Sequence, residues 1–554
     1  MLSFLQGIET LETDVLVLGG GVAGHRAAAA VRGFGQRALM AHVAHGASPF
    51  LLGCNAPLGT NPDADSADAY FKDVVEAGGQ LNDPRLVRAL ASHAVAAFQD
   101  LEALGVPFAR DSTGVLLRHL SGNSRPRSFY VPEGTGRAIL QQLAAHCRRV
   151  GVETWPGWQA LVLLTDEGRV VGALLAKRAT GEIRAVLARA VVLATGGIGR
   201  LYQDSTYPAD VTSDSCALAY RAGATLIDME FVQFEPTIIV HPEACRGMEI
   251  PTAMLGDGAH LLNAREERFM FRYNPVHGER LIEKARLALC IQQEIDAGRG
   301  LPDGAVWVDT TVVPREKLEG YVSHCRRLRA AGLDPAAERP RIRPAAHSHM
   351  GGVQIDAEGG TGVPGLYAGG EAAGGVHGAS RIAGNGGADA LVFGALAGKG
   401  AAISAMSSRK PRAPRHALDE GATVLGSLVR GLGRTDSQEI LGIIQRTMSQ
   451  NVGLRRHRDG LAAAASLLSD LERSLEGEES PADVPVPAFF AGLSARNMLL
   501  TARMITQAAL LRTESRGAHQ RTDFPLRDDA HWLRHIAFRA GPTGDLRAET
   551  IPVD

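Results

Sequence analysis

Cysteine is scarce: six in 554 residues, at positions 54, 147, 216, 245, 290 and 325, with no two in a CxxC pair. That spacing argues against a disulfide framework, a Cys-held iron–sulfur cluster or a structural zinc, so no metal is expected on this chain. Reduced thiols make the cytoplasm the expected compartment. Charge of one sign is lacking too: 58 basic residues face 60 acidic ones for a net charge of −2, without a long basic block. Nucleic acid is therefore not an expected partner. No run of about 18 uncharged apolar residues exists, so no direct membrane insertion is expected. Met1 to Thr13 holds no Lys or Arg and lacks the basic start of a secretory signal. Lysine is rare, with six (72, 177, 284, 317, 399 and 410) among the 58 basic residues, which makes each one a less casual choice than an arginine. The apolar share of 45% and charged share of 21% fit a globular protein with a large core. At about 150 residues per domain the length allows roughly three or four domains.

Glycine is plentiful, at 64, and clustered. Asp14-Val-Leu-Val-Leu18 reads as a buried strand leading into Gly19-Gly20-Gly21-Val22-Ala23-Gly24 and then an Ala-rich helix. Strand, glycine turn and helix make the context in which GxGxxG binds a dinucleotide. Gly19 permits the turn, Gly21 lets the backbone approach a pyrophosphate, and Gly24 allows close helix–strand packing. The second strand, Arg37 to His42, ends without the carboxylate that usually clamps an adenosine ribose. Asp83 to Leu104 reads as an amphipathic helix. Residues 160 to 193 read as a β-meander ending in a second glycine turn at Ala194-Thr195-Gly196-Gly197. Glycine turns thin out over 241–344, return from His347 to Gly400, and give way to a Ser/Arg/Pro linker at 407–414. The remainder of the chain reads as largely helical, with a Pro-rich break at Glu478 to Pro487.

Several further motifs stand in order. They are Ala194-Thr-Gly-Gly-Ile-Gly-Arg200, Asp228-Met-Glu-Phe-Val-Gln-Phe234 before Pro236-Thr237, and Gly256-Asp-Gly-Ala-His-Leu-Leu-Asn263. His347-Ser-His-Met-Gly-Gly352, Gly365-Leu-Tyr-Ala-Gly-Gly-Glu371, His377-Gly-Ala-Ser-Arg381 with Asn385, and Glu514-Ser-Arg-Gly-Ala-His519 complete the set. Over nearly its whole length the chain resembles the flavoprotein family of succinate dehydrogenase, fumarate reductase and L-aspartate oxidase. The resemblance implies an α/β protein: a discontinuous Rossmann-like FAD-binding domain (1–240 and 345–406), an inserted α+β capping domain (241–344) and a C-terminal helical domain (407–554). It implies FAD held by Gly19, Gly21, Gly24, Ser48, Thr195, Gly196, Gly197, Asp214, Glu371 and Asn385. Ser48 stands where some members carry a His linked covalently to FAD, and His45 is out of register, so FAD is expected to be non-covalent. An iron–sulfur or other electron-transfer subunit is the partner the family allows, with any membrane association through such subunits.

The family implies hydride transfer between the flavin and a carbon next to a carboxylate, with a positioned proton donor at the neighbouring carbon. His347 and Arg381 match its clamp for one carboxylate, and His349, two residues on, would share a strand face with His347. The far end departs from the family. Glu235 replaces its His, Pro251, Thr252 and Leu255 replace its Thr-Glu and Arg, and Lys284 falls at its proton-shuttling Arg. The expected substrate is thus a small carboxylate other than succinate, its far end neutral or cationic. Lys284 is the expected acid–base group, with a pKa lowered by desolvation. The alternatives are L-aspartate-oxidase-like amine oxidation, a non-catalytic flavoprotein, and the flavin subunit of an adenylylsulfate-reductase-like enzyme.

Overall fold

The computed structural model describes residues 8–59, 65–408, 415–430, 436–476, 484–541 and 545–553. Residues 409–414 of the linker expected at 407–414 and much of the Pro-rich break lie outside them, and Ser407 belongs to a helix.

Val15 to Leu18 are buried on both faces, as a central parallel strand demands. The strand Thr10–Leu18 runs parallel to Ala38–His42 on one side and to Ile183–Leu193 on the other. Glu153–Pro156 extends the first side, and Leu366–Ala368 adds in parallel to the end of Ile183–Leu193. The expected meander is present as the antiparallel strands Trp158–Asp166, Arg169–Lys177 and Ile183–Leu193, which complete a seven-stranded sheet. The helices Val22–Gly33 and Asn385–Ser407 lie against each other at backbone contact. A Cβ on Gly394 would stand 2.6 Å from the Ala23 carbonyl oxygen, and one on Gly398 2.3 Å from that of Ala27. Glycine at this four-residue spacing is what lets the helices touch. Asn385–Ser407 is also the one described helix long and apolar enough to cross a membrane by length and composition. It carries Asp389 and Lys399, and its Ala397, Ala401, Ala402 and Ala405 are buried in the core beside Ala27 and Val31.

The capping segment is organised on an antiparallel sheet of Val232–His241, Arg341–His349, Val306–Asp309 and His260–Leu262. Both expected boundaries, 240 and 345, fall inside this sheet, because its two long strands pair with each other across them. Glu235, His347 and His349 sit on those strands, and Lys284 opens the helix Lys284–Glu294.

The C-terminal region is helical over Arg415–Val429, Ser437–Asn451, Arg458–Glu476 and Val486–Leu511. The largely helical region also carries a hairpin. Arg534–Ala540 and Leu546–Pro552 form a hairpin that joins a five-stranded sheet with Leu226–Ile227, Gly352–Gln354 and Ala373–Gly374. Between helix and hairpin lies a buried ionic cluster. Arg512 donates to Glu230 (2.5 Å) and Glu514 (3.0 Å), and Arg516 donates to Glu514 (2.7 Å). It fastens the C-terminal region to the strands that lead into the cap. All six cysteines are buried, and none is bonded to another.

Candidate active site

A cavity of about 2090 Å³ is walled by the glycine turns on one side and the capping segment on the other. Its first wall is backbone. Gly19 has φ +122°, and a Cβ there would meet the Ala194 carbonyl oxygen at 2.1 Å; one on Gly24 would meet the Gly19 carbonyl oxygen at 1.9 Å. The two turns can pack this closely only without side chains, which brings bare backbone to the cavity wall at a helix N-terminus. Ser48 lies across that terminus, its Oγ accepting from the Val22 N–H at 3.0 Å. The Thr195 hydroxyl is buried, lines the cavity and has no partner. An orphaned hydroxyl and a side-chain-free cradle beside it fit a dinucleotide such as FAD. His45 faces the Gly20 carbonyl oxygen at 2.8 Å.

Glu371 is gripped rather than solvated. Tyr207 donates its hydroxyl to Oε1, the His349 N–H donates at 3.0 Å and Ser348 at 3.2 Å, while burial raises the carboxyl's pKa. A Cβ on Gly197 would strike this carboxylate, so Gly197 serves its placement. Asp214 also lines the cavity, with its oxygens taken by Gln159 (3.0 Å), Thr212 (3.0 Å) and Asn497 (2.9 Å). The Asn385 side chain differs from expectation. It accepts from Asn55 and Tyr70, each at 2.7 Å, and is absent from the cavity wall, to which Gly384, Gly386 and Gly387 contribute. Asn385 anchors the turn, and the backbone of its neighbours faces the cavity.

Beyond these stand the charged groups. Arg381 lines the cavity, donates to Gln233 Oε1 at 2.9 Å, and has a buried Nε without a partner. No described carboxylate pairs with it. Burial, then the Arg381 guanidinium, push His347 down to about 3, so the ring is neutral. Thr206 Oγ1 lies 3.0 Å from His347 Nδ1; with the hydroxyl donating, the ring keeps its proton on Nε2. His349 is turned away from such a role, its Nε2 3.1 Å from the Met229 carbonyl oxygen.

At the capping side, Lys284 Nζ donates to Glu235 at 2.6 Å and to Glu249 at 2.9 Å, and all three line the cavity. Burial, then the neighbouring Glu249, raise Glu235 to about 8. Burial would raise Glu249 as well, but Lys284 and His347 bring it down to about 2. The expected lowering of Lys284 is overturned. Burial acts in that direction, but Glu249 and Glu235 outweigh it and hold the ammonium above its ordinary pKa. Of the other departures, Pro251 and Thr252 reach the cavity wall, whereas Leu255 is packed in the cap core. Glu249, Thr206, Tyr207 and Gln233 were not singled out from sequence. Glu249 had one local signal: Met248-Glu249-Ile250 alternates along an extended segment, and Ile239 N–H bonds the Met248 carbonyl oxygen at 2.8 Å.

Comparisons with known proteins identify the family. The FAD binding domain family matches residues 14–386, and the fumarate reductase flavoprotein C-terminal family matches 443–554. A fumarate reductase (CoM/CoB) subunit of Methanothermobacter marburgensis is 37% identical over 543 residues, spanning 95% of this chain and 97% of that one. The L-aspartate oxidase of Streptomyces coelicolor is 34% identical over 564 residues, spanning 98% and 93%. Among solved structures, Mycobacterium smegmatis Sdh1 in complex with UQ1 superposes with a TM-score of 0.89 at 30% identity, spanning 99% of this chain and 95% of that one. The chain belongs to the fumarate reductase and succinate dehydrogenase family of flavoproteins, and it is an FAD-dependent oxidoreductase.

Proposed function

We propose that the enzyme moves a hydride between non-covalent FAD and a carbon next to the carboxylate of a small organic acid whose far end is neutral or cationic. Bound FAD supplies the hydride donor or acceptor. Arg381 holds the carboxylate through its fork, and neutral His347 donates to it from Nε2. A charge that grows on that carboxylate as the neighbouring carbon reacts is stabilised there. Lys284 hands the proton over at the adjacent carbon and is replenished from Glu235, the flanking carboxyl raised to about 8.

The observation that carries this reading is Arg381: a guanidinium in the cavity wall with a buried, unpartnered Nε and no described carboxylate beside it. The far end follows from charge counting. Two carboxylates and one ammonium give −1, or zero when Glu235 is protonated. In neither state does this cluster itself carry net positive charge to balance a second carboxylate. The same acid pair would suit an ammonium, which is what favours amine oxidation of the L-aspartate oxidase kind as a second reading. Since several relatives are named as subunits, we also propose that an electron-transfer subunit serves as partner.

The test is anaerobic bleaching of the flavin across a panel of small carboxylates, in wild type and Arg381→Lys. Acids with a neutral or cationic far end are expected to reduce the flavin faster than succinate. Arg381→Lys loses a charge-assisted hydrogen bond worth about 1.5–3 kcal/mol, roughly ten- to a hundredfold in rate, with FAD still bound. Succinate as the best reductant would remove the far-end assignment, and an unimpaired Arg381→Lys would remove the clamp.

A further inference from the structure

The loop Val376–Ala379 and the helix Asn385–Ser407 bring together a pair that the clamp and the proton relay do not use. His377 Nε2 lies 3.2 Å from Asp389 Oδ2, and the two residues are 4% and 2% exposed. Both line the cavity, near Arg381, Gly386 and Gly387. The other ends of both side chains, His377 Nδ1 and Asp389 Oδ1, are buried without a hydrogen-bond partner. An unpaired buried polar atom costs about 1–3 kcal/mol, and here two of them occur in one dyad.

The pair is not what fixes the loop. The loop is already fixed by other bonds: Asn82 Nδ2 donates to the Val376 carbonyl at 2.9 Å, the Ala379 N–H to that of Gly78 at 2.8 Å, and the Ala518 N–H to that of Ala379 at 2.9 Å. None of these needs an imidazole. What the carboxylate does is hold the ring. With Nε2–H given to Asp389 and no proton on Nδ1, His377 offers an acceptor at Nδ1, and Asp389 Oδ1 is a second acceptor. Two acceptors without donors call for a ligand that brings N–H or O–H groups. FAD has both, in the imide of its ring system and the hydroxyls of its ribityl chain.

We propose that His377, oriented by Asp389, is a positioning residue for FAD: the dyad accepts from an N–H or O–H of the cofactor, and its negative charge sets how readily the bound flavin takes up electrons. The inference stands whichever acid the enzyme turns over.

The test uses the holoenzyme and two near-isosteric variants, Asp389→Asn and His377→Gln, with the flavin midpoint potential measured by spectroelectrochemistry. Removing the carboxylate charge in Asp389→Asn should favour reduced flavin at least tenfold, an upward shift of about 30 mV for a two-electron couple. His377→Gln keeps an acceptor and should shift it less. The melting temperature of each FAD-free variant should match that of the FAD-free wild type. If a variant purifies without FAD, titration of the apo-protein with FAD replaces the potential, and at least a tenfold weaker dissociation constant is expected. Less than a twofold change in both potential and FAD affinity, or a lowered apo-protein melting temperature with the potential unmoved, would overturn the assignment and leave the pair as a packing contact.

Discussion

Two ionic clusters of this molecule use the same ingredients to different ends. Around Arg512 and Arg516, two guanidinium groups meet the carboxylates of Glu230 and Glu514, and none of the four lines the cavity. As ionised groups the four balance, two charges of each sign. Burial pushes the Glu230 carboxyl up, with Arg512 acting against it, while burial's pull on Arg512 is outweighed by Glu230 and its neighbours. Around Lys284, two carboxylates share one ammonium at the cavity wall. That count is odd, so the cluster is neutral only when it holds an extra proton. A balanced cluster fastens structure, whereas an unbalanced one facing a ligand stores a proton.

The largest effect should come from the balanced cluster. Arg512→Met leaves Glu230 and Glu514 buried without their shared cation, and breaking a buried pair from one side costs about 3–5 kcal/mol. Denaturant unfolding should show that loss as a large drop in midpoint, while the pH at which turnover is half-maximal stays put. A shifted pH profile would mean that the two clusters are not separate devices.

Next comes Lys284→Met. The variant leaves the largely buried Glu235 and Glu249 without their shared ammonium, so stability should fall too. The loss should be smaller than in Arg512→Met, because Lys284 is partly exposed and Glu235 can take up a proton. Turnover should fall by orders of magnitude with FAD retained, because the group placed between substrate and the two carboxyls is gone. The check is steady-state turnover beside the flavin absorbance of the purified variant. Full activity would reduce the cluster to a surface feature of the cap.

How much of this was legible in the sequence depends on how local each feature is. The cofactor wall was readable because its requirements act on adjacent backbone: Gly19 and Gly24 are where a side chain would collide, and a GxGxxG between strand and helix states that directly. The residues of the proposed clamp stand in motifs, with His347 on its strand and Arg381 near the helix that starts at Asn385. Lys284 was readable as a position but not as a chemical state. Its pKa is set by Glu235, 49 residues away, and Glu249, 35 residues away, and their sign opposes that of burial. Asn385 was readable as a helix start, while the direction of its side chain depended on Asn55 and Tyr70 in distant elements. The C-terminal hairpin was missed because Arg534–Ala540 buries four consecutive residues and shows no alternation.

The test that bears most sharply on the comparison concerns Glu235→Gln and pH. Glu235 is buried, and its carboxyl is raised to about 8 in the folded protein, by burial first and Glu249 next. In the unfolded chain an ordinary Glu titrates near 4.3. Between those values the folded state binds more protons than the unfolded one, so the stability Glu235 contributes is fully present below the unfolded pKa. It is lost as pH rises through 8. The slope is at most about 1.4 kcal/mol per pH unit for a single group and weakens near both ends of the window. Glu249, lowered to about 2, acts in the opposite window: its contribution is present above the ordinary Glu value and lost as pH falls toward 2. The amide introduced by Glu235→Gln would mimic the protonated carboxyl and leave one carboxylate facing one ammonium, a balanced cluster like that of Arg512. Melting temperatures measured from pH 5 to 9 should therefore decline in wild type and decline less in Glu235→Gln, the two curves lying closest at low pH. Parallel curves across the whole range would show that Glu235 is ionised throughout and that the cluster stores no proton.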